Sequence, residues 1–315
     1  MKTDGLAAGK GAIVCRSLED ADAAVAECME RRAFGASGET VVIEEFMVGD
    51  EASFFAIVGG SVAIPLGGAR DHKTVFDGDR GPNTGGMGAY SPVPDLDEAM
   101  TARIMATIVR PTIEALAAEG RPYLGVLYVG LMLTADGPRV VEFNCRLGDP
   151  ECQPIMMRLA GDLVPMIAAI ARSETPPTAA SGGWALGESS EAAVCVTIAS
   201  GGYPGRYPTG LPIKGIDAAE SKPGVLVFHA GTAWRDGELV TAGGRVLGVT
   251  AAGPTLDAAI ARAYAAVHEI HFDGMHYRKD IGRSQHGPRE WTRSPQEPAR
   301  SSQERPRSSR ETARG

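Results

Sequence analysis

The amino-acid sequence predicts a mixed α/β protein of the α+β kind, with a larger N-terminal module and a smaller C-terminal one. Segments rich in β-branched residues alternate with amphipathic helical patterns along the chain. Two pairs of apolar segments are separated by the short turn signals Gly59-Gly60 and Asp136-Gly137, which predict β-hairpins. A stretch rich in Ser, Thr, Pro and Gly at 173–191 separates the two modules. A length of 315 residues is enough for two domains.

The individual elements follow from these patterns in chain order. Ser17 is a suitable N-cap for an amphipathic helix over 17–34. The other elements predicted for the larger module are short strands at 12–14 and 41–43, paired strands at 53–58 and 61–66, a polar Gly/Pro-rich loop over 67–94, a helix over 96–118, paired strands at 124–133 and 138–143, and a helix over 150–171. The smaller module is expected to contain strands near 193–199 and 224–230 and a helix at 255–270.

Composition and charge exclude several classes of protein. Hydrophobic residues make up 43% of the chain and charged residues 22%, which is ordinary for a globular protein. The net charge of -8 argues against general nucleic-acid binding, because nucleic-acid-binding proteins present a basic surface. No apolar run approaches the roughly 20 residues of a membrane-spanning helix, and the five cysteines lack the spacing of a disulfide framework. We therefore expect a cytoplasmic protein with no nucleic-acid and no membrane partner.

A glycine-rich segment near the N-terminus, from Asp4 to Gly11, has the composition of a phosphate-binding loop. Gly5, Gly9 and Gly11 allow the backbone to turn its N–H groups toward a phosphate, and Lys10 adds a positive charge. The segment is not a Walker loop, because a glycine follows Lys10 where that motif has Ser or Thr. A glycine-rich surface turn is the alternative interpretation.

The segment from Glu44 to Met47 follows a predicted strand and can contact a nucleotide. A strand end offers backbone N–H and C=O groups to the edge of an adenine ring. Phe46 and Met47 offer apolar walls, and an acidic residue within 44–51 can hold a ribose hydroxyl. A solvated acidic loop is the alternative interpretation.

The polar loop from Asp71 to Pro92 combines charged residues with consecutive glycines. His72 and Lys73 can meet an anionic substrate, and the glycines over 85–88 expose main-chain donors. Ordering so many glycines costs conformational entropy, so we infer that the loop holds a ligand. A mobile loop is the alternative interpretation.

The segment from Glu142 to Glu151 has the pattern of a metal site. Residues i and i+2 of a strand face the same side, so Glu142 and Asn144 point together and offer the hard oxygen ligands that suit Mg²⁺. Arg146 extends the same face and can stabilise charge on a transferring phosphoryl group. Phe143 is expected to face the core. The alternative is a salt-bridged surface strand.

These segments, taken together, carry a family resemblance. The sequences are DGLAAGKG at 4–11, VVIEEF at 41–46, EASFFA at 51–56, DHKTVFDGDRGPNTGGMGAYSP at 71–92 and EFNCRLGDPECQ at 142–153. In this order they resemble the phosphoribosylamine–glycine ligases, also called glycinamide ribonucleotide synthetases, which have the ATP-grasp fold. GGYPGRYPTG at 201–210 and YRKDIG at 277–282 resemble the C-terminal domain of that family, and the resemblance covers residues 2–283.

The resemblance implies a partial ATP-grasp fold followed by a small C-terminal α/β domain. The expected boundaries are 1–65 for part of the small ATP-grasp subdomain with its hinge strands, 66–186 for the main ATP-grasp subdomain with the metal site, 187–283 for the C-terminal domain, and 284–315 for a disordered tail. The tail has seven arginines and four glutamates in an imperfect seven-residue repeat, and prolines interrupt it, so disorder is the better prediction than a coiled coil.

The resemblance also implies an enzyme, an ATP-dependent carbon–nitrogen ligase of purine biosynthesis. It would join glycine to 5-phospho-β-D-ribosylamine through a glycyl phosphate, giving glycinamide ribonucleotide, ADP and phosphate. Carried over residue by residue, the implied contacts are Lys2, Gly9, Lys10 and Gly11 with the ATP phosphates, Glu44, Glu45, Phe46 and Met47 with adenine, and Glu51 with the ribose. Glu142 and Asn144 would bind Mg²⁺ or Mn²⁺. Asp71, His72, Lys73 and Arg146 would face the substrates or the transferred phosphate, with Asp71, Lys73 and Arg146 as the catalytic residues.

The sequence departs from the family pattern at both ends. The family has an N-terminal region that this sequence does not contain, and the tail after residue 283 is foreign to the pattern. Three interpretations therefore stay open. The first is a fragment of the ligase that is inactive alone. The second is a different ATP-grasp enzyme, such as a carboxylate–amine ligase or carboxylase. The third is a non-catalytic piece that only binds ATP and metal, either one half of a split enzyme or a pseudo-enzyme. A missing region or a separate chain is an expected partner.

Overall fold

The protein is described by a computed structural model that covers residues 1–5, 7, 11–172 and 187–283. Its strands are β1 Lys2–Thr3, β2 Val41–Val42, β3 Asp50–Gly59, β4 Val62–Asp71, β5 Thr74–Phe76, β6 Arg80–Asn83, β7 Gly88–Ser91, β8 Leu124–Thr134, β9 Gly137–Asn144, β10 Leu159–Ala160, β11 Gly187–Glu188, β12 Ala192–Ala199, β13 Val225–His229, β14 Thr232–Arg235, β15 Glu238–Thr241 and β16 Arg245–Gly253. The α-helices are α1 Leu18–Val25, α2 Glu98–Ile104, α3 Arg110–Ala118, α4 Cys152–Arg158, α5 Val164–Ala171, α6 Ile216–Glu220 and α7 Leu256–Val267.

Eight of these strands form one sheet in the order β13-β16-β12-β7-β4-β3-β8-β9. Every neighbouring pair in it is antiparallel. The sheet crosses the predicted boundary between the modules, because β12 of the smaller module pairs with β7 of the larger one. The mixed α+β prediction is therefore confirmed, and the sheet makes the two modules continuous. The predicted domain boundaries themselves stay predictions.

Helices cover both faces of β3 and β8, which explains why these strands are apolar on both sides. On one face Phe54 and Val129 pack with Ile104 and Ile113 from α2 and α3. On the other face Phe55 and Tyr128 pack with Ile155 and Met166 from α4 and α5, among others. A separate cluster fills the space between β12, β16 and α7. The core is thus divided among three apolar clusters that share one sheet.

The hairpin and capping predictions are confirmed. The β3–β4 turn contains Gly60 at φ 64°, and Gly137 at φ 118° begins β9 after the second turn. At the start of α1, the Asp20 N–H donates to Ser17 Oγ and the Ser17 N–H donates to Asp20 Oδ2, both at 3.1 Å. This reciprocal pair is a capping box. The helix continues as a π-helical turn over Ala26–Glu30. It therefore ends at Glu30, before the predicted end at residue 34.

The prediction of a loop over 67–94 is wrong, because the segment contains the end of β4 and the whole of β5, β6 and β7. Its glycines allow strands and loops to pack closely. A Cβ at Gly88 would lie 2.6 Å from the Cys195 carbonyl oxygen on β12. Glycine-rich sequence at this place therefore indicates close backbone approach in a sheet, which composition alone cannot separate from a turn.

Three smaller predictions also differ from the structure. Only Ala12 of the predicted strand 12–14 pairs, through an isolated bridge to Lys2. The predicted helix 150–171 is divided into α4 and α5 by β10 and by Gly161 at φ 129°. The smaller module has further strands β14, β15 and β16 besides the two predicted. The predicted tail 284–315 and most of the predicted linker lie outside the described residues. Among the described residues, no helix is long and apolar enough to cross a membrane.

Candidate active site

A polar pocket opens between the ends of β3, β4, β8 and β9. Its polar lining side chains are Glu51, Ser53, Asp71, Lys73, Tyr128 and Glu142. The pocket forms here because Gly130 of β8 lies opposite Glu142 of β9 and Met132 lies opposite Glu51 of β3. The sheet therefore brings together four predicted site residues that are as far apart as 51 and 142 in the sequence. We call this site the polar pocket.

The charged centre of the polar pocket is Lys73, which forms an ion pair with Glu51. Burial lowers the pKa of Lys73, but the carboxylates of Asp71 and Glu51 outweigh that effect and raise it above its usual range. Burial also raises the pKa of Asp71 to about 7, with Lys73 opposing the rise and Glu151 and Glu51 adding to it. Lys73 is therefore a fixed positive charge, and Asp71 titrates near neutral pH.

A buried hydrogen-bond chain supports the floor of the polar pocket. Ser53 Oγ donates to Glu151 Oε1 at 3.0 Å and lies 2.8 Å from the Tyr128 hydroxyl. Because the single Ser53 hydroxyl proton goes to the carboxylate, Tyr128 donates to Ser53. A Cβ at Gly148 would lie 2.5 Å from Glu151 Oε2, so a larger residue there would displace the Glu151 carboxylate. Sequence reasoning assigned no role to the residues of this chain, Ser53, Tyr128 and Glu151. The only available signal was a serine, Ser53, inside an apolar strand.

The predicted metal pair is adjacent in space. Asn144 Nδ2 donates to Glu142 Oε1 at 3.0 Å, and both side chains leave β9 on the same side. The amide can present its oxygen by rotating, so the pair supplies the oxygen donors that Mg²⁺ and Mn²⁺ prefer. Within the described residues no group of three or more His, Cys, Asp and Glu side chains could hold a metal. The donor set therefore fits an ion that takes its remaining oxygen ligands from a substrate or water.

Two predictions about this strand and its continuation need correction or stay open. Phe143 does not face the core, since 43% of it is exposed. The reason is that β9 is an edge strand of the sheet, with β8 as its one neighbouring strand in the described part of the chain. Arg146 is exposed and donates to the carbonyl of its neighbour Leu147 at 3.0 Å, outside the lining of the polar pocket. Its predicted role as a catalytic residue stays a prediction.

The predicted adenine segment lies between β2 and β3 without regular structure. Glu45 forms an ion pair with Arg139 of β9 at 2.7 Å. The guanidinium of Arg16 lies 5.8 Å from the centre of the Phe46 ring, which is 46% exposed. Glu44 is exposed and Met47 is partly buried. An exposed aromatic face next to a cation leaves this segment open to a planar ligand.

The predicted phosphate loop is described only in part. Lys2 lies on β1, opposite Val42 of β2. The N–H of Thr3 donates to the Gly11 carbonyl at 3.0 Å, and a Cβ at Gly11 would overlap the Thr3 side chain. The predicted contacts of Gly9 and Lys10 lie outside the described residues.

Residues of the smaller module hold the glycine-rich turn at 84–86 beside the site. Arg245 of β16 donates to the Gly85 carbonyl at 2.8 Å and to the Asp149 carbonyl at 2.6 Å, and it forms an ion pair with the Asp149 carboxylate at 3.3 Å. The Gly85 N–H donates to the Tyr203 hydroxyl at 3.0 Å. Sequence reasoning did not identify Arg245 or Tyr203, because their partners are more than 90 residues away in the chain.

Comparison with known proteins connects this site to a family. The model described as "Phosphoribosylglycinamide synthetase, ATP-grasp (A) domain" matches residues 1–152, and that of the "Phosphoribosylglycinamide synthetase, C domain" matches residues 193–284. A phosphoribosylamine–glycine ligase of Caulobacter vibrioides is 50% identical over 287 residues, which are 90% of this chain and 65% of that one. A chloroplastic phosphoribosylamine–glycine ligase of Arabidopsis thaliana is 49% identical, over 90% of this chain and 53% of that one. The chain thus spans about two thirds or less of the length of these relatives.

Solved structures agree with this connection. The phosphoribosylamine–glycine ligase of Thermotoga maritima superposes with a TM-score of 0.76 at 35% identity, covering 89% of this chain and 68% of that one. The biotin carboxylase domain of the 2-oxoglutarate carboxylase from Hydrogenobacter thermophilus gives a TM-score of 0.62 at 17% identity, covering 88% of this chain and 57% of that one. The second likeness concerns the fold alone.

Proposed function

The chain belongs to the phosphoribosylglycinamide synthetase family, and on that premise we propose that it carries out the ATP-dependent ligation of glycine to 5-phospho-β-D-ribosylamine in purine biosynthesis. The products would be glycinamide ribonucleotide, ADP and phosphate. The observation that carries this proposal is the polar pocket, where Lys73, Asp71 and Glu51 lie together with Glu142. A fixed cation, a carboxyl group that titrates near neutral pH and a carboxylate on one pocket form a set suited to phosphoryl and acyl transfer.

The proposed nucleotide contacts are those of the sequence motifs. The ATP phosphates would contact Lys2 and the loop that includes Gly9, Lys10 and Gly11, and adenine would lie against the segment from Glu44 to Met47. Glu51 would hold the ribose. The Phe46 ring supports the adenine assignment, since it is 46% exposed and has the Arg16 guanidinium over it.

The proposed metal ligands are Glu142 and Asn144. A divalent ion bound there, Mg²⁺ or Mn²⁺, would offset the negative charge of the ATP phosphates. The two side chains are already within hydrogen-bonding distance, which supports their use as a pair.

The chemistry that we propose has two steps. A glycine carboxylate oxygen attacks the terminal phosphorus of ATP, the bond to ADP breaks, and glycyl phosphate forms. The amine of the ribosylamine then attacks the glycyl carbonyl carbon, phosphate leaves, and the amine loses a proton. Lys73 would stabilise the transferred phosphoryl group in both steps, and Arg146 would assist it. Asp71 is suited to accept the proton, because its pKa of about 7 matches a base that acts at neutral pH.

We also propose that the reaction takes place in the cytoplasm. Cys15, Cys28, Cys145, Cys152 and Cys195 all lie in the described part of the chain and are free thiols there, which suits a reducing compartment.

The test is a direct assay for the product. ATP, glycine, 5-phosphoribosylamine and Mg²⁺ are incubated with the chain, ADP is measured, and glycinamide ribonucleotide is identified by mass. Because the chain spans about two thirds of the length of its Caulobacter vibrioides relative, the assay is repeated with the unmatched part of that relative added as a second polypeptide. ADP formation that needs a different carboxylic acid, or that needs no glycine, would contradict the proposal and favour another ligase of the ATP-grasp fold.

A further inference from the structure

A short segment at the C-terminal end of the described chain, residues 276–282, lies directly on the segment 72–79 that follows β4. The Gly282 N–H donates to His72 Nε2 at 3.2 Å, and His276 Nε2 lies 2.8 Å from the Val75 carbonyl oxygen. The Gly78 N–H donates to Asp280 Oδ2 at 2.8 Å. These contacts join residues that are more than 200 positions apart in the sequence. We call residues 276–282 the C-terminal clamp.

Arg278 is the centre of the C-terminal clamp. Its side chain is fully buried, and it forms ion pairs with Asp280 at 2.7 Å and with Asp79 at 2.9 Å. Its Nη1 donates to both the carbonyl and the hydroxyl oxygen of Thr74, at 3.1 and 2.9 Å. A planar guanidinium can serve all of these acceptors at once, which a lysine ammonium cannot do with the same geometry. Thr74 is the residue that follows Lys73.

Side chains alternate along an extended segment, so this segment faces the clamp on one side and the polar pocket on the other. His72 points to the clamp, where the Gly282 N–H donates to its ring, and the Asp79 carboxylate of its own segment lies 3.8 Å from its Nδ1. Asp71 and Lys73, one residue before and after, point to the other side and line the polar pocket. The backbone of His72 is hydrogen-bonded to that of Met87 and Gly88, which fixes its position independently of the clamp. The clamp therefore acts mainly on residues 73–79.

We propose that the C-terminal clamp is a positioning device for the polar pocket, and that Arg278 is its positioning residue. By fixing Thr74 and Asp79, Arg278 holds the chain after β4 in the path that keeps Lys73 against Glu51. His72 has the same role through Gly282, so the proposal makes it a positioning residue in place of the substrate contact expected from the sequence. The inference rests on the proposed function in one respect, namely that Lys73 and Asp71 are the residues that face the substrates.

The test measures the position of Lys73 without turnover, by acetylation with a succinimidyl ester and mass spectrometry of the full chain. The sequence has lysine only at 2, 10, 73, 214, 222 and 279, so each site can be followed separately. Lys73 is expected to react slowly relative to the exposed Lys214, because its pKa is raised and Glu51 holds its ammonium. Arg278→Lys is expected to raise the rate at Lys73 severalfold and to leave Lys214 unchanged.

Two further variants make the result decisive. Arg283→Lys is the matched control, because Arg283 is exposed and lies just beyond the clamp, and it should leave Lys73 as in the parent chain. Thr74→Val removes only one acceptor of Arg278 and should raise the rate at Lys73 by a smaller factor. If Arg278→Lys loosens the whole fold, Lys222 will react faster as well, since it is paired with Glu269 at 2.9 Å. In that case the acetylation rate at Lys73 in Thr74→Val tests the proposal.

An unchanged acetylation rate at Lys73 in folded Arg278→Lys and Thr74→Val would overturn the proposal. The clamp would then only attach residues 276–282 to the sheet, without positioning Lys73. This outcome is distinct from a failure of the proposed function, because the labelling needs no nucleotide, glycine or ribosylamine. A chain that fails the ligation assay can still pass this test.

Discussion

Strands β9 and β12 belong to the same sheet, but they lie in contrasting places within it. All eight residues of β12 are buried, because β7 and β16 flank the strand on both sides and helices cover it. In β9 the side chains of Arg139, Glu142 and Phe143 are exposed, and the strand has a single neighbour, β8, in the described part of the chain.

The contrast shows that stability and chemistry are concentrated at different places in one sheet. A strand buried on both faces can contribute apolar area, which is the dominant favourable term in folding. An edge strand contributes less area, but it can present charged groups without the large cost of burying them. The polar pocket lies on the β9 side of the sheet because the charges of Glu142, Lys73 and Glu51 need that access to solvent. The following predictions test this division.

The largest effect is expected from Glu142→Ala on β9. The loss of one of two paired oxygen donors should weaken Mg²⁺-dependent ATP binding by about 10–100-fold. The unfolding temperature should not change, since the Glu142 side chain is exposed and, among the described residues, accepts a hydrogen bond from Asn144. Calorimetric titration with and without Mg²⁺ measures the first quantity and thermal unfolding the second. Glu119→Ala, at the exposed end of α3, is the control, and unchanged Mg²⁺-dependent affinity in Glu142→Ala would refute the metal assignment.

The opposite result is expected from Ile198→Ala on β12. Ile198 is fully buried, so its truncation removes packed apolar volume and should lower the free energy of unfolding by about 2–5 kcal/mol. Nucleotide affinity of the folded fraction should be retained, because the residue lies in the cluster around α7. Urea unfolding measures the loss. A variant that is as stable as the parent would show that the buried half of the sheet does not carry the stability.

Asp71 lies between these two regions and should make stability depend on pH. Its pKa of about 7 in the folded chain is above that of an ordinary aspartate, so the folded state binds the proton more tightly than the unfolded state. Its contribution to stability is therefore present at low pH and is lost as the pH rises from about 4 to about 7.

Asp71→Asn should remove the loss of stability with rising pH that comes from the Asp71 carboxyl group. Urea unfolding between pH 4 and pH 8 is expected to give a flatter profile for this variant than for the parent chain. Asp22→Asn, on the exposed side of α1, is the control and should keep the parent profile. Identical profiles for Asp71→Asn and the parent would mean that Asp71 titrates as an ordinary exposed aspartate.

The smallest effect is expected from Phe143→Thr on β9. An exposed aromatic residue on an edge strand should change the free energy of unfolding by only about 0.5 kcal/mol. A loss of several kcal/mol, measured by urea unfolding, would show that a surface outside the described contacts covers this strand.

Much of the fold could be predicted from the sequence because its signals are local. The Ser17 capping box, the Gly59-Gly60 turn and the helix over 96–118 depend on residues that are close together in the chain, and all three are confirmed. The last consists of α2 and α3, which are joined by the π-helical segment Met105–Val109. The predictions of a loop over 67–94 and of a buried Phe143 were wrong because they depend on which strand lies alongside. Composition does not contain that information.

The candidate site, like the fold, was predictable where its signals are local. Glu142 and Asn144 share a face of one strand, so their pairing followed from a period of two. The contacts of Lys73 with Glu51, of Ser53 with Glu151, and of Arg245 with Gly85 join distant strands, and no local pattern indicates them. The resemblance supplied the predicted role of Glu51 and a more specific one for Lys73, whereas the contact between the two side chains is visible only in the folded sheet.

The position of the C-terminal clamp has a consequence for synthesis of the protein on the ribosome. Residues 72–79 leave the ribosome about 200 residues before their partners at 276–282, which takes roughly 10–40 s at ordinary elongation rates. During that interval Thr74 and Asp79 have no Arg278 to hold them. Contacts of such large sequence separation also form late, because closing long loops costs entropy. A nascent chain can therefore complete the β3–β4 hairpin early, while the geometry around Lys73 is completed only after the last described segment has been made.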